Sequence, residues 1–378
     1  KAYKKRSGKN SCFDGETAGR SLAGCTGKEG VGAVAENITI KDIARICGVG
    51  IGTVSRAINN DPRVSEKTRE KILRAVKEHH YVPNNSARNL KMTESNTIGL
   101  LFSGIDNPFF QGMISIFENA CDKLGYAFFL YAVRENDRVE NVAMEVCKER
   151  RLKGLIIMGG QLSFPNRRLD SLGIPYVLCT VTVPRDGKEF PCSSVSIDDE
   201  KESCRAVSYL CEQGHRRIAI LAGRTCESPY GVGMLRLAGY RRALEDHGIK
   251  FDPALVAYMS EDLPEYSMPN GYDTMKRLLE TGVDFTAVFA VSDTMAFGAC
   301  RALRAAGVGI PGDCSATGYD GEYYTEYMPP SLTPVVQPVA EMARKTVELL
   351  DDAVKKKAPP VCVIYDAELR IRESVRKI

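Results

Sequence analysis

The sequence predicts an α/β protein: two doubly wound parallel sheets preceded by a small all-α helix-turn-helix module. Three observations carry the prediction. Strand-like and helix-like runs alternate from residue 97 to residue 320, the stretch Thr39 to Tyr81 is helical with no strand-like run, and charge is unevenly divided between the two regions. The 378 residues, 44% apolar and 26% charged, suffice for a large core and two or three domains. Residues 37–91 hold eleven Lys/Arg against five Asp/Glu, whereas the net charge of the whole chain is only +3. A basic module on a more acidic body implies that the module alone meets a polyanion.

Residues 1–37 are rich in Gly, Ser and charge without an apolar period, and are expected to form a disordered tail. No apolar run approaches the roughly 20 residues that cross a bilayer, and no signal-peptide core is visible, so a cytoplasmic protein is expected. The 13 cysteines are scattered with no zinc-like CxxC pair, and the four histidines fall in no ligand spacing. Neither a metal nor a cofactor is expected.

In the module, Thr39 caps a first helix with Asp42 in its first turn, and Ile40, Ile43, Ala44 and Cys47 form an apolar stripe. Gly48, Gly50 and Gly52 follow in "GVGIG". A dinucleotide loop needs a strand before its glycines, and a P-loop needs Gly-Lys-Ser/Thr after them. Here a capped helix precedes and neither signature follows. Gly48 is placed to end the helix in a left-handed conformation, Val49 packs inward, and a second helix runs from about Gly50 to Ile58. On it Val54, Ala57 and Ile58 turn inward while Thr53, Ser55 and Arg56 turn outward. A third helix, "SEKTREKILRAVKEHH", begins at Ser65 and is expected to bury Ile72, Leu73 and Val76.

In the body, "TIGLLF", "YAFFLYAV", "GLIIMG" and "YVLC" alternate with helices near 108–124 and 136–151. The pattern repeats as "RIAILAG", "ALVAYM", "TAVFAV" and "SATGYD", with helices near 198–213, 233–248, 271–282 and 292–306. Two such sheets facing one another make a cleft at their strand ends.

"ITIKDIARICGVGIGTVSRAIN" and "VSEKTREKILRAVKEHHYVPNNSARNLK" resemble the DNA-binding headpiece and hinge of the LacI/GalR family of bacterial transcription regulators. The likeness continues through "TIGLLFSGIDNPFFQGM", "GHRRIAILAG", "RLAGYRRAL", "AVFAVSDTMAFGA", "GYDGE" and "PSLTPVVQP". The resemblance implies a helix-turn-helix headpiece over 38–83, a hinge helix and linker over 84–94, and a periplasmic-binding-protein-like core over 95–378 for effector binding and dimerisation.

It also implies roles for individual residues. Ile51, Thr53, Ser55, Arg56 and Asn59 fall where the family meets DNA; Arg suits guanine, Thr and Ser suit phosphate, and Asn59 suits a cap or a backbone contact. In the hinge, Leu90 takes the place of the minor-groove wedge, Ala87 is small enough for two hinge helices to approach, and Arg88 and Lys91 suit phosphate. The alternative for Leu90 is a linker residue packed on the body. For the cleft the resemblance singles out Asp106, Asn107, Phe109 and Phe110 of "DNPFF", with Arg236, Ser292, Asp293 and Asp320. Arg236 and Asp320 are expected on opposite walls as a fork for sugar hydroxyls, the alternative being an interdomain salt bridge. One of the two phenylalanines is expected in the core and the other against the ligand, while Asp293 is alternatively a helix cap.

The expected function is a dimeric repressor that binds a palindromic operator and answers to a small effector, a sugar or sugar derivative, through a changed relation of the two subdomains. "LRIRESVRKI" carries no leucine-heptad extension, so nothing in it suggests a tetramer tail. The rival is a solute-binding protein with accessory N-terminal helices; an enzyme is disfavoured because no nucleophile, base and orienting acid occur together. Gly50 and Gly52 bring no side chain to a base edge. Half-site readout is therefore expected to rest on Arg56, Ile51 and the Leu90 step.

Overall fold

The computed structural model describes residues 38–58, 61–79, 81, 95–104, 107–134, 137–160, 162, 167–183, 192–225, 228 and 230–378. The expected tail over 1–37 and the hinge over 84–94 lie outside them. The described residues fall into two compact units, a headpiece through Tyr81 and a core from Ser95 onward.

The headpiece consists of α1 (Ile40–Cys47), α2 (Ile51–Ile58) and α3 (Glu66–Glu78). Thr39 opens α1, its backbone N–H and its hydroxyl both donating to Asp42 Oδ2, at 3.0 and 2.6 Å. Gly48 closes α1 at φ +63°, its N–H donating to the Arg45 carbonyl, which leaves no strand before the glycines and disposes of a phosphate loop. The Gly50 carbonyl then accepts the first bonds of α2, from Thr53 and Val54. Ile43, Cys47, Val54 and Ile72 meet in the centre with Ala44, Ala57, Val64 and Ala75 around them. Leu73 departs from expectation: it is 44% exposed, and Ala75 takes the inward place. Leu73 lies about 100° around the helix from Ile72, off the stripe that continues through Ala75 and Val76.

The core carries two six-stranded sheets. In the first, the strand order is β11-β5-β4-β3-β1-β2, with β1 (Thr97–Ser103), β2 (Ala127–Val133), β3 (Gly154–Met158), β4 (Tyr176–Cys179), β5 (Ser193–Ile197) and β11 (Cys362–Tyr365), every pair parallel. In the second, the order is β12-β10-β9-β8-β6-β7, with β6 (Ile218–Ala222), β7 (Val256–Tyr258), β8 (Ala287–Ala290), β9 (Ser315–Asp320), β10 (Thr333–Val336) and β12 (Glu368–Leu369). Here β12 runs antiparallel to β10, so this sheet is parallel only up to its edge.

Helices cover both faces of each sheet, and strands so covered read as the continuous apolar runs seen in the sequence. On the first sheet Ile98, Leu100 and Phe102 point to one face, and Leu101 joins a separate cluster on the other. The flanking helices are α4 (Pro108–Lys123), α5 (Val139–Arg150), the short α6 (Arg167–Asp170) and α11 (Val339–Lys356). The second sheet is flanked by α7 (Asp199–Glu212), α8 (Val232–Asp246), α9 (Met268–Glu280) and α10 (Asp293–Ala305). These pack as pairs at glycines. A Cβ on Gly239 of α8 would lie 2.2 Å from the Glu200 carbonyl oxygen of α7, and one on Gly298 of α10 would lie 2.1 Å from the Met268 carbonyl oxygen of α9.

Three passages join the subdomains: residue 198 between β5 and α7, residues 337–338 between β10 and α11, and residues 366–367 between β11 and β12. Each subdomain is therefore discontinuous in sequence.

Candidate functional site

On α2 the inward side is Val54 and Ala57, with Ile58 half-buried; Ile51 is 45% exposed, Arg56 is exposed, and Thr53 and Ser55 are half-buried. The outward face therefore offers Ile51, Thr53, Ser55 and Arg56 together on one short helix. A Cβ on Gly52 would meet only the Arg56 guanidinium, at 4.0 Å, so Arg56 reaches back along the helix surface that Gly52 leaves bare. Asn59, Ala87, Arg88, Leu90 and Lys91 lie outside the described residues, as does Asp106.

In the core, the strand ends of the two sheets face a cleft. From the first subdomain it is lined by Ser103, Gly104, Asn107, Phe109, Phe110 and Thr180, among others. Asn107 is buried and opens α4, its Oδ1 accepting from Phe109 N at 3.1 Å. Phe109 is buried; Phe110 is half-buried and lies against Gly104 and Gly159, where a Cβ would come within 3.2 and 3.0 Å of its ring. Thr180 follows β4 at φ +62°, unusual for a β-branched residue, and its buried Oγ1 has no partner among the described residues.

From the second subdomain come Asp199, Tyr230, Arg236, Glu265, Tyr266 and Asp320, with Gln337 of the second passage. Arg236, 5% exposed, donates through Nε to Asp199 Oδ1 at 2.8 Å and through Nη1 to the Val291 carbonyl. Its Nη1 lies 3.7 Å from Asp320 Oδ1, and its guanidinium carbon stands 3.8 Å above the Tyr319 ring. Burial works against its charge, but Asp199, Tyr319 and Asp320 outweigh burial and hold its pKa above the ordinary arginine value. Asp320 ends β9 at φ +108°, and Gln337 Nε2 donates to its Oδ1 at 2.9 Å. Burial, against the opposing pull of Arg236 and Gln337, pushes the Asp320 carboxyl up to about 7. Asp199 is likewise raised by burial and lowered by Arg236.

Two expectations are corrected. Arg236 and Asp320 stand on the same wall, because α8 and β9 both belong to the second subdomain, so they form neither an opposed fork nor an interdomain bridge. Ser292 and Asp293 are fully buried and do not line the cleft. Ser292 caps α10, its Oγ accepting from Met295 N at 3.2 Å, and Asp293 Oδ2 accepts from the N–H groups of Gly321 and Glu322 at 2.8 and 2.7 Å. Asp293 thereby shapes the turn immediately after Asp320.

Sequence reasoning missed Asp199, Thr180, Glu265 and Gln337. Asp199 is signalled only by β5, whose "SSVSI" is fully buried yet serine-rich and so lacks the apolar run that marks the other strands. Thr180 was within reach, since it is the first residue after "YVLC".

Residues 39–84 match the model for bacterial regulatory proteins of the lacI family, and residues 207–375 match the periplasmic binding protein-like domain. The HTH-type transcriptional regulator MalR of Clostridium butyricum is 40% identical over 344 residues, covering 89% of this chain and 99% of that protein. The chain belongs to the LacI family. The ribose operon repressor of Escherichia coli K12 is 32% identical to this LacI-family regulator, with 82% and 92% of the two chains covered. Among solved structures, a transcriptional regulator CelR in complex with cellobiose is 32% identical with a TM-score of 0.66, covering 89% of this chain and 99% of its own. A lac repressor dimer bound to operator and an anti-inducer is 26% identical with a TM-score of 0.73, covering 90% and 100%. The LacI-family headpiece makes the chain a DNA-binding transcription regulator and removes the solute-binding alternative.

Proposed function

We propose that this regulator is a dimeric repressor whose affinity for a palindromic operator is set by an uncharged sugar bound between Phe110 and the Arg236 cluster. The observation that carries the reading is the cleft's chemistry. Its floor presents the carboxylates of Asp199 and Asp320 and the guanidinium of Arg236 within a few ångströms of one another, a donor and acceptor set suited to hydroxyls, and Phe110 offers an apolar face from the other subdomain. The absence of net charge on the ligand follows from the electrostatics. Arg236 is already held between Asp199 and Asp320, and Glu265, 3.2 Å from Arg224, lines the same space. A phosphate entering here would find both guanidinium groups already paired with carboxylates, leaving no unopposed cation among the described residues of the cleft to receive it. Relatives support the reading: one is named for the ribose operon and another is solved with cellobiose.

Outward-facing Ile51, Thr53, Ser55 and Arg56 would read the major groove, with Arg56 contributing a guanine contact and Ile51 a thymine methyl contact. Leu90 would wedge the central minor-groove step, flanked by Ala87, Arg88 and Lys91. As a DNA-binding regulator the protein acts in the bacterial cytoplasm. It is a binding protein and not an enzyme on this reading, because Asp199 and Asp320 are engaged in holding Arg236 and Gln337 and Glu265 stands 3.2 Å from Arg224.

Thermal-shift measurements with cellobiose, ribose and glucose 6-phosphate test the ligand class. A neutral sugar at a hundred times its Kd stabilises by about 2.7 kcal/mol, a rise of several degrees. Stabilisation by the phosphate alone would contradict the reading.

A further inference from the structure

The Arg236 cluster connects the cleft to two of the three passages between subdomains. Asp199 directly follows the first passage, residue 198. Gln337 begins the second, and Asp320 holds it twice: the Gln337 backbone N–H donates to the Asp320 carbonyl at 3.1 Å, and its side-chain amide donates to Asp320 Oδ1 at 2.9 Å. Arg236 joins the two carboxylates, 2.8 Å from Asp199 and 3.7 Å from Asp320. Four buried polar side chains therefore run from one passage, along the cleft floor, to the other. The third passage is held apart from the cleft lining, by Lys201 on Asp366 at 2.6 Å and Arg205 on the Ala367 carbonyl at 2.7 Å.

A ligand moves a two-state equilibrium only through interactions that differ between the states. A hydroxyl that donates to Asp320 Oδ1 competes with the Gln337 amide, which already occupies that oxygen. Inside a buried network that competition is costly to leave unresolved, because a displaced amide 5% exposed needs a new acceptor. Gln337 is followed by Pro338 and then by α11, which packs against β3, β4 and β5 of the first subdomain. A shift at Gln337 is thus carried into that subdomain by a rigid helix.

We propose that Gln337 is the positioning residue that couples occupancy of the cleft to the relation of the two subdomains, by fastening the second passage to Asp320. The proposal rests on the cleft being the effector site. Full-length Gln337→Ala and Gln337→Glu chains test it against the parent; the second keeps the side chain's shape while replacing the donor with a carboxylate, should the first fail to fold. Without ligand, hydrogen exchange at the amides of residues 337 and 339 should quicken about tenfold, the equivalent of one lost hydrogen bond, while exchange in both sheets stays as in the parent. With cellobiose or ribose at saturation, the variants should still bind sugar. Their operator Kd with and without sugar should nevertheless agree within about twofold, the coupling free energy having been lost. Parent-like exchange or parent-like coupling overturns the proposal. So does loss of sugar binding in step with loss of response, which would make Gln337 a ligand contact. A parent that binds neither sugar fails the effector reading instead, and the exchange comparison still decides for or against Gln337.

Discussion

Arg236 is the residue on which the cleft floor depends. Removing it leaves Asp199 and Asp320 buried without their shared cation, so Arg236→Ala should lose about 3–5 kcal/mol of stability along with any effector response. Urea denaturation measures this, and a loss under 1 kcal/mol would show that the carboxylates are better hydrated than their burial implies. Asp320 gives a second prediction. Burial raises its carboxyl in the fold from the ordinary aspartate range up to about 7, so its stabilisation is complete below the unfolded pKa and is lost as pH rises through about 7. Parent stability should therefore fall relative to Asp320→Asn between pH 4 and pH 7. Parallel pH profiles would contradict the assignment. These two residues were legible in the sequence because they sit in motifs, "RLAGY" and "GYD", at the edges of recognisable elements. Asp199 was not, since no apolar strand announced it, and Ser292 was misplaced because a serine after a strand suits a helix cap as well as it suits a ligand.

At the level of elements, the glycines divide into two kinds. Gly298 lets α10 touch α9 backbone to backbone; with a Cβ 2.1 Å from a carbonyl oxygen, Gly298→Ala should destabilise the core by about 2 kcal/mol or more. Gly52 is the opposite case. It sits inside α2 with open space around it, so Gly52→Ala should stabilise the headpiece by about 0.5–1 kcal/mol. Thermal melts of both variants check the two signs. If Gly52 is kept so that Arg56 can lie along the helix, Gly52→Gln should add a base preference at one position per half-site in selection from random duplexes. A sharp preference already present there would place the reading groups elsewhere. Most elements were visible as apolar runs or amphipathic stripes. What escaped was the return of the chain: α11, β11 and β12 send later sequence back to the first sheet and then to the second, and no local pattern encodes which sheet a strand joins.

Across the whole molecule, a basic headpiece is joined to a more acidic core through the segment of sequence that contains Leu90. Leu90→Ser should weaken binding to the best operator and leave weak, salt-sensitive association, because the excess of Lys and Arg over residues 37–91 remains. The central claim is that the cleft controls DNA affinity. Anisotropy titration of a selected operator duplex with the full-length protein, in the presence and absence of saturating cellobiose or ribose, tests it most directly. A neutral sugar should change the operator Kd by about five- to 150-fold in the parent and leave it unchanged in Arg236→Ala, assayed where that variant remains folded. A sugar response that persists in full in folded Arg236→Ala would contradict it.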